Sequence, residues 1–146
     1  SDMRLLEAVA RNARLTLAEL AKVCNSSASS VARRLKRLEE RGVITGYTAQ
    51  ISPQGLGYGQ DVFVEVALHT QDGESMVSFE QELAHIHQVL SCWLKSGEFD
   101  YLLRVVARDA ADYETVLRRL SQLPGVSRLR SSFAMRQVLW RQFTAP

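Results

Sequence analysis

The 146-residue chain contains no run of about 18 apolar residues, so none of its helices is expected to span a membrane. Its start, Ser1-Asp2-Met3-Arg4, does not lead into the apolar stretch and small-residue cleavage site of a secretory signal. Two cysteines, Cys24 and Cys92, cannot build a disulfide framework and point to a reducing cytoplasm. Net charge is also small: 18 Lys+Arg stand against 16 Asp+Glu, and the resulting +2 speaks, taken alone, against a nucleic-acid partner. A glycine-rich phosphate loop, a Ser/His/Asp constellation and paired catalytic carboxylates are all missing, so no enzyme is expected. What is present, 46% hydrophobic and 23% charged residues, suits a globular protein of one ordinary domain or two small ones.

The charge is unevenly distributed. Gly55, Gly57 and Gly59 punctuate the chain, and a division at Gln60 leaves nine basic and five acidic residues before it, a sum of +4. The remaining residues hold nine bases and eleven acids, a sum of −2. A basic first part hints at an anionic partner for that part alone, although a solvated charged helix has the same composition.

Three helices are expected in the first part. Asp2 can cap one whose Leu5, Leu6 and Val9 form an apolar stripe. Thr16-Leu17-Ala18-Glu19 reads as a capping box, followed by the apolar face of Leu17, Leu20, Ala21 and Cys24. Asn25-Ser26 makes a short turn, and Ser27 caps a third helix from about Ala28 to Arg41, ended by Gly42. In that helix Val31, Leu35 and Leu38 point inward, leaving Ser29, Ser30, Arg33, Arg34, Lys36 and Arg37 outside. Small polar residues first and bases after them, behind a tight turn, form a helix-turn-helix pattern whose second helix reads the major groove of double-stranded DNA. Ser29 and Ser30 permit close approach, and Arg33 or Arg34 can offer a guanidinium fork to guanine. Lys36 and Arg37, further along, suit phosphates. Pairing of Lys36 and Arg37 with Glu39 and Glu40 is the alternative. Val43 to Ile51 then has the composition of a connecting strand, broken by Ser52-Pro53.

The second part alternates strands and helices. Val62, Val64, Val66 and Leu68 mark one face of a strand, and Met76, Phe79, Leu83 and Ile86 recur at helical spacing. Strands are expected from Val89 to Lys95 and from Phe99 to Ala107, a helix from Ala111 to Leu123, and a long last strand from Val126 to Trp140. The order βαββαβ is the ferredoxin-like arrangement, with both helices on one sheet face. The other face must be covered, most simply by a second copy.

The stretches RRLKRLEERGVITGYTAQISPQGLG, FVEVAL, SGEFDYLLRV and LPGVSRLRSSFAM resemble the Lrp/AsnC family of transcription regulators over nearly the whole chain. The resemblance implies an α+β fold. A winged-type helix-turn-helix at 1–42 is joined through 43–60 to a ferredoxin-like effector-binding and oligomerisation domain at 61–146. It also implies a cytoplasmic regulator that assembles as a homodimer or a higher oligomer such as an octamer. Its ligand would be an amino-acid effector bound at a subunit interface, with no other cofactor and no membrane partner. The family's effector loop matches Ser96-Gly97-Glu98-Phe99-Asp100-Tyr101. There Gly97 permits a tight turn, Asp100 would hold an α-ammonium group and Tyr101 would close one side. Leu94, Ser132 and Ala134 match positions lining or bordering the pocket in relatives. A turn carboxylate bonding its own backbone is the other reading of Asp100. Where many relatives open the recognition helix with prolines, this chain has Ala28, Ser29 and Ser30.

Two rival functions come from other classes: a siroheme decarboxylase-type enzyme of the same fold, and a DNA-independent amino-acid sensor. His85 and His87, on or beside the first effector-domain helix, lie away from the loop. With Cys92 they lack the tight spacing of a zinc site. Arg128, Arg130 and Arg136 share one face of the last strand with Ser132 and Ala134, where they suit either an anionic pocket or a subunit border.

Overall fold

Helix α1 (Asp2–Arg11), α2 (Leu17–Cys24) and α3 (Ala28–Glu40) enclose a small core of Leu5, Val9, Leu20, Ala21, Cys24, Val31 and Leu38. The computed structural model describes residues 2–146. Local chemistry sets the helix ends. The Thr16 hydroxyl accepts from the Glu19 amide at 3.1 Å, and Ser27 accepts from Ser30 at 3.2 Å. Asn25, with φ +50°, closes α2 while the Ser26 amide reaches back to the Ala21 carbonyl at 2.9 Å. Gly42, with φ +74°, ends α3 in a Schellman turn, in which Gly42 donates to Glu39 and Val43 to Leu38. Asp2 lies in the first turn of α1 rather than capping it, and its carboxylate crosses to α3.

A second unit, Ile51–Val138, is built on β1 (Gln60–Leu68), α4 (Gly73–Leu83), β2 (Val89–Leu94), β3 (Tyr101–Ala107), α5 (Ala110–Ser121) and β4 (Val126–Phe133). The strands form one antiparallel sheet in the order β2-β3-β1-β4. Val62, Val64, Val66, Leu103 and Val105 on one face pack with Phe79 and Leu83 of α4 and Val116 and Leu120 of α5. Alternation puts Phe63, Glu65, Ala67, Leu102, Arg104, Arg128, Arg130 and Ser132 on the opposite face, away from α4 and α5. Asp72 caps α4 through the Ser75 amide at 2.7 Å, and Asp109 caps α5 through Asp112 at 2.8 Å.

Several expected boundaries differ, each where a partner is lacking. Val43 to Ile51 forms no strand, because no neighbouring strand pairs with it; Val43, Tyr47 and Ile51 are exposed. The last strand ends at Phe133 rather than Trp140. Its partner β1 begins at Gln60, and the final bond runs from the Ala134 amide to the Asp61 carbonyl at 2.8 Å. Beyond it Met135, Val138, Leu139 and Trp140 are exposed, and Leu139–Pro146 groups with the helical unit. His85 and His87 fall in the turn after α4, both exposed. Among the described residues no helix is long and apolar enough to cross a membrane.

Candidate functional site

The outer side of α3 is divided by its ion pairs. Ser29, Arg33, Lys36 and Arg37 are exposed and Ser30 is half-buried. Among the described residues no acid lies within ion-pairing distance of Arg33. Lys36 faces Glu40 at a loose 4.0 Å. Arg34 is different: its Nε donates to Asp2 Oδ1 at 3.0 Å and its side chain is only 15% exposed. Arg37 reaches the other Asp2 oxygen at 3.5 Å and stays 55% exposed. Both guanidinia, Arg34 the more strongly, hold the Asp2 carboxyl below its usual range. The geometry leaves Arg33 the unencumbered fork and ties Arg34 into the fold. At the far end of α3, Tyr47 donates to the Glu39 carboxylate at 2.8 Å, and partial desolvation of the half-exposed side chain, with that bond, pushes its phenol up to about 12.

The loop between β2 and β3 is pinned at both ends. Lys95 donates its amide to the Asp100 carbonyl at 2.9 Å, and the Asp100 amide donates to Val66 at 2.8 Å. Gly97 turns the chain with φ +109°, a conformation other side chains rarely adopt. Asp100 Oδ2 accepts the Leu68 amide at 2.8 Å and the Gln71 amide group at 3.3 Å. Asp100 therefore bonds backbone, that of a neighbouring strand rather than its own turn. Glu98 pairs with Arg128 at 2.9 Å, and buried Phe99 lies beneath the guanidinia of Arg128 and Arg130, 4.7 and 4.5 Å from its centroid. Glu65 joins Arg130 at 2.8 Å and Lys95 at 3.5 Å, and the Arg130 bond dominates in holding its carboxyl low. Arg128 and Arg130 thus spend their charge on Glu98, Glu65 and Phe99.

Tyr101 is buried, with 1% exposure, its ring 4.7 Å from Phe79 and its hydroxyl donating to Glu80. Burial, and then Glu80, push its phenol far above the ordinary value. With Leu94, Leu83, Ile86, Leu90 and Cys92 it lines an open cleft of about 360 Å³ between α4 and β2. Burial and Glu80 raise the Cys92 thiol to about 11, so it stays protonated.

The structure does not gather the family-matched effector residues into one place. Asp100 and Tyr101 sit level with Val66–Leu68 at one end of β1, and Ser96 and Gly97 lie in the loop closed by the Lys95–Asp100 bond. Ala134 is level with Asp61 at the other, and Ser132 with Phe63. Asp61 and Leu68 are about 23 Å apart along an extended strand. Leu94 and Ser132 are moreover on opposite edges of the sheet. Sequence reasoning took Asp2 only for a helix cap and missed Glu65, Gln71 and Glu80. Each is brought to its partner by the fold, and none stands in a motif that marks it.

A family model described as Lrp/AsnC ligand binding domain matches residues 61–142, and one described as winged helix-turn-helix DNA-binding matches 1–45. The Bkd operon transcriptional regulator of Pseudomonas aeruginosa is 38% identical over 141 residues, covering 96% of this chain and 92% of its own. An AsnC family transcriptional regulator from Agrobacterium tumefaciens superposes with a TM-score of 0.90 at 28% identity, covering 99% and 94% of the two chains. A transcriptional regulator from Neisseria meningitidis, solved in complex with L-methionine, gives 0.89 at 31% identity and covers 97% and 92%. With three capped helices ahead of a βαββαβ sheet, the chain belongs to the Lrp/AsnC family of DNA-binding transcriptional regulators.

Proposed function

We propose that the chain is a cytoplasmic, non-enzymatic regulator whose DNA affinity is set by an amino-acid effector bound between copies of itself. Residues 1–42 act on DNA, 43–60 connect, and 61–146 bind effector and assemble. The observation that carries the composite site is one of distance: a ligand the size of an amino acid cannot bridge Asp100 and Ala134 of one chain. A loop from one copy and the Ser132–Ala134 edge of another would enclose it. The L-methionine complex of the Neisseria relative supports an amino acid as the ligand class. The sheet face away from α4 and α5, with Phe63, Leu102 and half-exposed Trp93, supports self-association.

On α3, Ser29, Ser30 and Arg33 meet base edges while Lys36 and Arg37 meet phosphates. Arg34 serves as a tether to α1. Effector and DNA are then coupled sites, so each alters the affinity of the other equally. Two measurements test this: DNA anisotropy titrations across salt concentrations, and thermal-shift screening against the proteinogenic amino acids. Salt-insensitive DNA binding, or no amino acid that raises the melting temperature with concentration, would overturn it.

A further inference from the structure

We infer that Asp2 is an internal stand-in for a DNA phosphate, a positioning residue that holds two arginines of α3 and limits the charge this helix offers to DNA. The inference rests on α3 being the DNA-contacting helix.

An acid in the first turn of a helix commonly serves its own N-terminus. The Asp2 carboxylate instead spans to a different helix and divides its two oxygens between Arg34 and Arg37, three residues apart and so on one side of α3. The two bonds are unequal. The Arg34 contact, at 3.0 Å with that side chain 15% exposed, is short and shielded. The Arg37 contact, at 3.5 Å with 55% exposure, is long and open to solvent, and such a pair contributes little on its own. A duplex phosphate, like Asp2, spreads one negative charge over two oxygens, and its neighbours along the duplex add to the attraction. Arg37 can therefore exchange from Asp2 to phosphate as DNA binds, whereas Arg34 stays. Each binding event must first release that contact, which holds down sequence-independent affinity. Arg33 has no acid to leave, so base reading forms a larger share of what remains.

The test compares the salt dependence of binding to a random-sequence duplex for wild type, Asp2→Asn and Glu7→Gln. The last removes one exposed α1 acid that contacts no arginine of α3. Asp2→Asn is expected to bind several-fold tighter and to steepen the log–log salt slope by about 0.9, the value for one more neutralised phosphate. Glu7→Gln should leave the slope at the wild-type value, and adding Arg37→Gln to Asp2→Asn should abolish the steepening. Because Asp2→Asn leaves Arg34 without its shielded partner, the Asp2→Asn/Arg34→Met pair is measured against Arg34→Met in parallel; the same steepening is expected. If neither comparison steepens the slope while wild type binds with clear salt dependence, the inference fails. If wild type itself shows no salt-dependent binding, the reading of α3 fails instead. A purely structural Asp2 would lower the melting temperature and leave the slope alone.

Discussion

The carboxylate of Asp100 accepts the backbone amide of Leu68 at 2.8 Å, so the loop before β3 and the end of β1 are held by one side chain. Asp100→Ala removes that acceptor and strands a part-buried amide, at a cost of about 1–3 kcal/mol. Asp100→Asn keeps an oxygen in place and should recover most of the stability. Thermal unfolding of the two variants checks this. The same pair separates two roles: if Asp100 also holds an effector ammonium, Asp100→Asn loses the amino-acid thermal response while keeping its fold. An unshifted melting temperature in Asp100→Ala would show that the Leu68 bond does not matter.

Neighbouring arginines on α3 should behave differently. Arg33→Ala is expected to relax preference at one base position, by about 1–3 kcal/mol if its fork is bidentate to guanine. Lys36→Gln should weaken all sequences alike and reduce the salt slope by about 1. Arg34→Ala should register mainly as lost thermal stability, since Asp2 holds its guanidinium against α1. Competition titrations against a panel of single-base operator variants, alongside melting curves, distinguish the three.

Alkaline pH should loosen the protein through its phenols. Tyr47 donates to Glu39 and Tyr101 to Glu80, and both raise their folded pKa above the unfolded value of about 10. A raised folded pKa gives stability that is fully present below the unfolded value and is lost as pH rises toward the folded one. Stability should therefore decline from about pH 10 upward, and for Tyr47 the loss should be complete near pH 12. Phenolate absorbance across that window should show one late-ionising tyrosine fewer in Tyr47→Phe, with a shallower loss of stability. Identical titrations would overturn the Tyr47–Glu39 assignment.

What could be read from the sequence was what is settled within a few residues. Thr16, Ser27, Asn25 and Gly42 mark helix ends through bonds to amides and carbonyls nearby, so the three helices and their turn were legible. Alternation at Val62–Leu68 and the spacing of Phe79 and Leu83 exposed the sheet and its covering helix for the same reason. Contacts between distant positions were not legible: Asp2 with Arg34, and Asp100 with Leu68, are each 32 residues apart. Strand composition at Val43–Ile51 and beyond Phe133 also misled, because a strand needs a partner and one chain supplies none there. Family matching named the effector residues but not their arrangement, which depends on sheet order.

That arrangement makes its own prediction. If the site combines the Ser96–Tyr101 loop of one copy with the Ser132–Ala134 edge of another, defects in the two halves should complement. Gly97→Val places a branched side chain at φ +109° and should spoil the loop. Ser132→Trp should fill the opposite edge. Neither variant alone is expected to show an amino-acid thermal response. Co-refolding them allows mixed assemblies in which an intact loop meets an intact edge, so a minority of sites should recover binding, read by calorimetric titration. Recovery cannot arise if each chain carries its own complete pocket, because both mutant chains would then remain defective in any mixture. Absence of recovery in mixtures proven to exchange subunits would place the pocket within one chain, and the role of Ser132 and Ala134 would have to be abandoned.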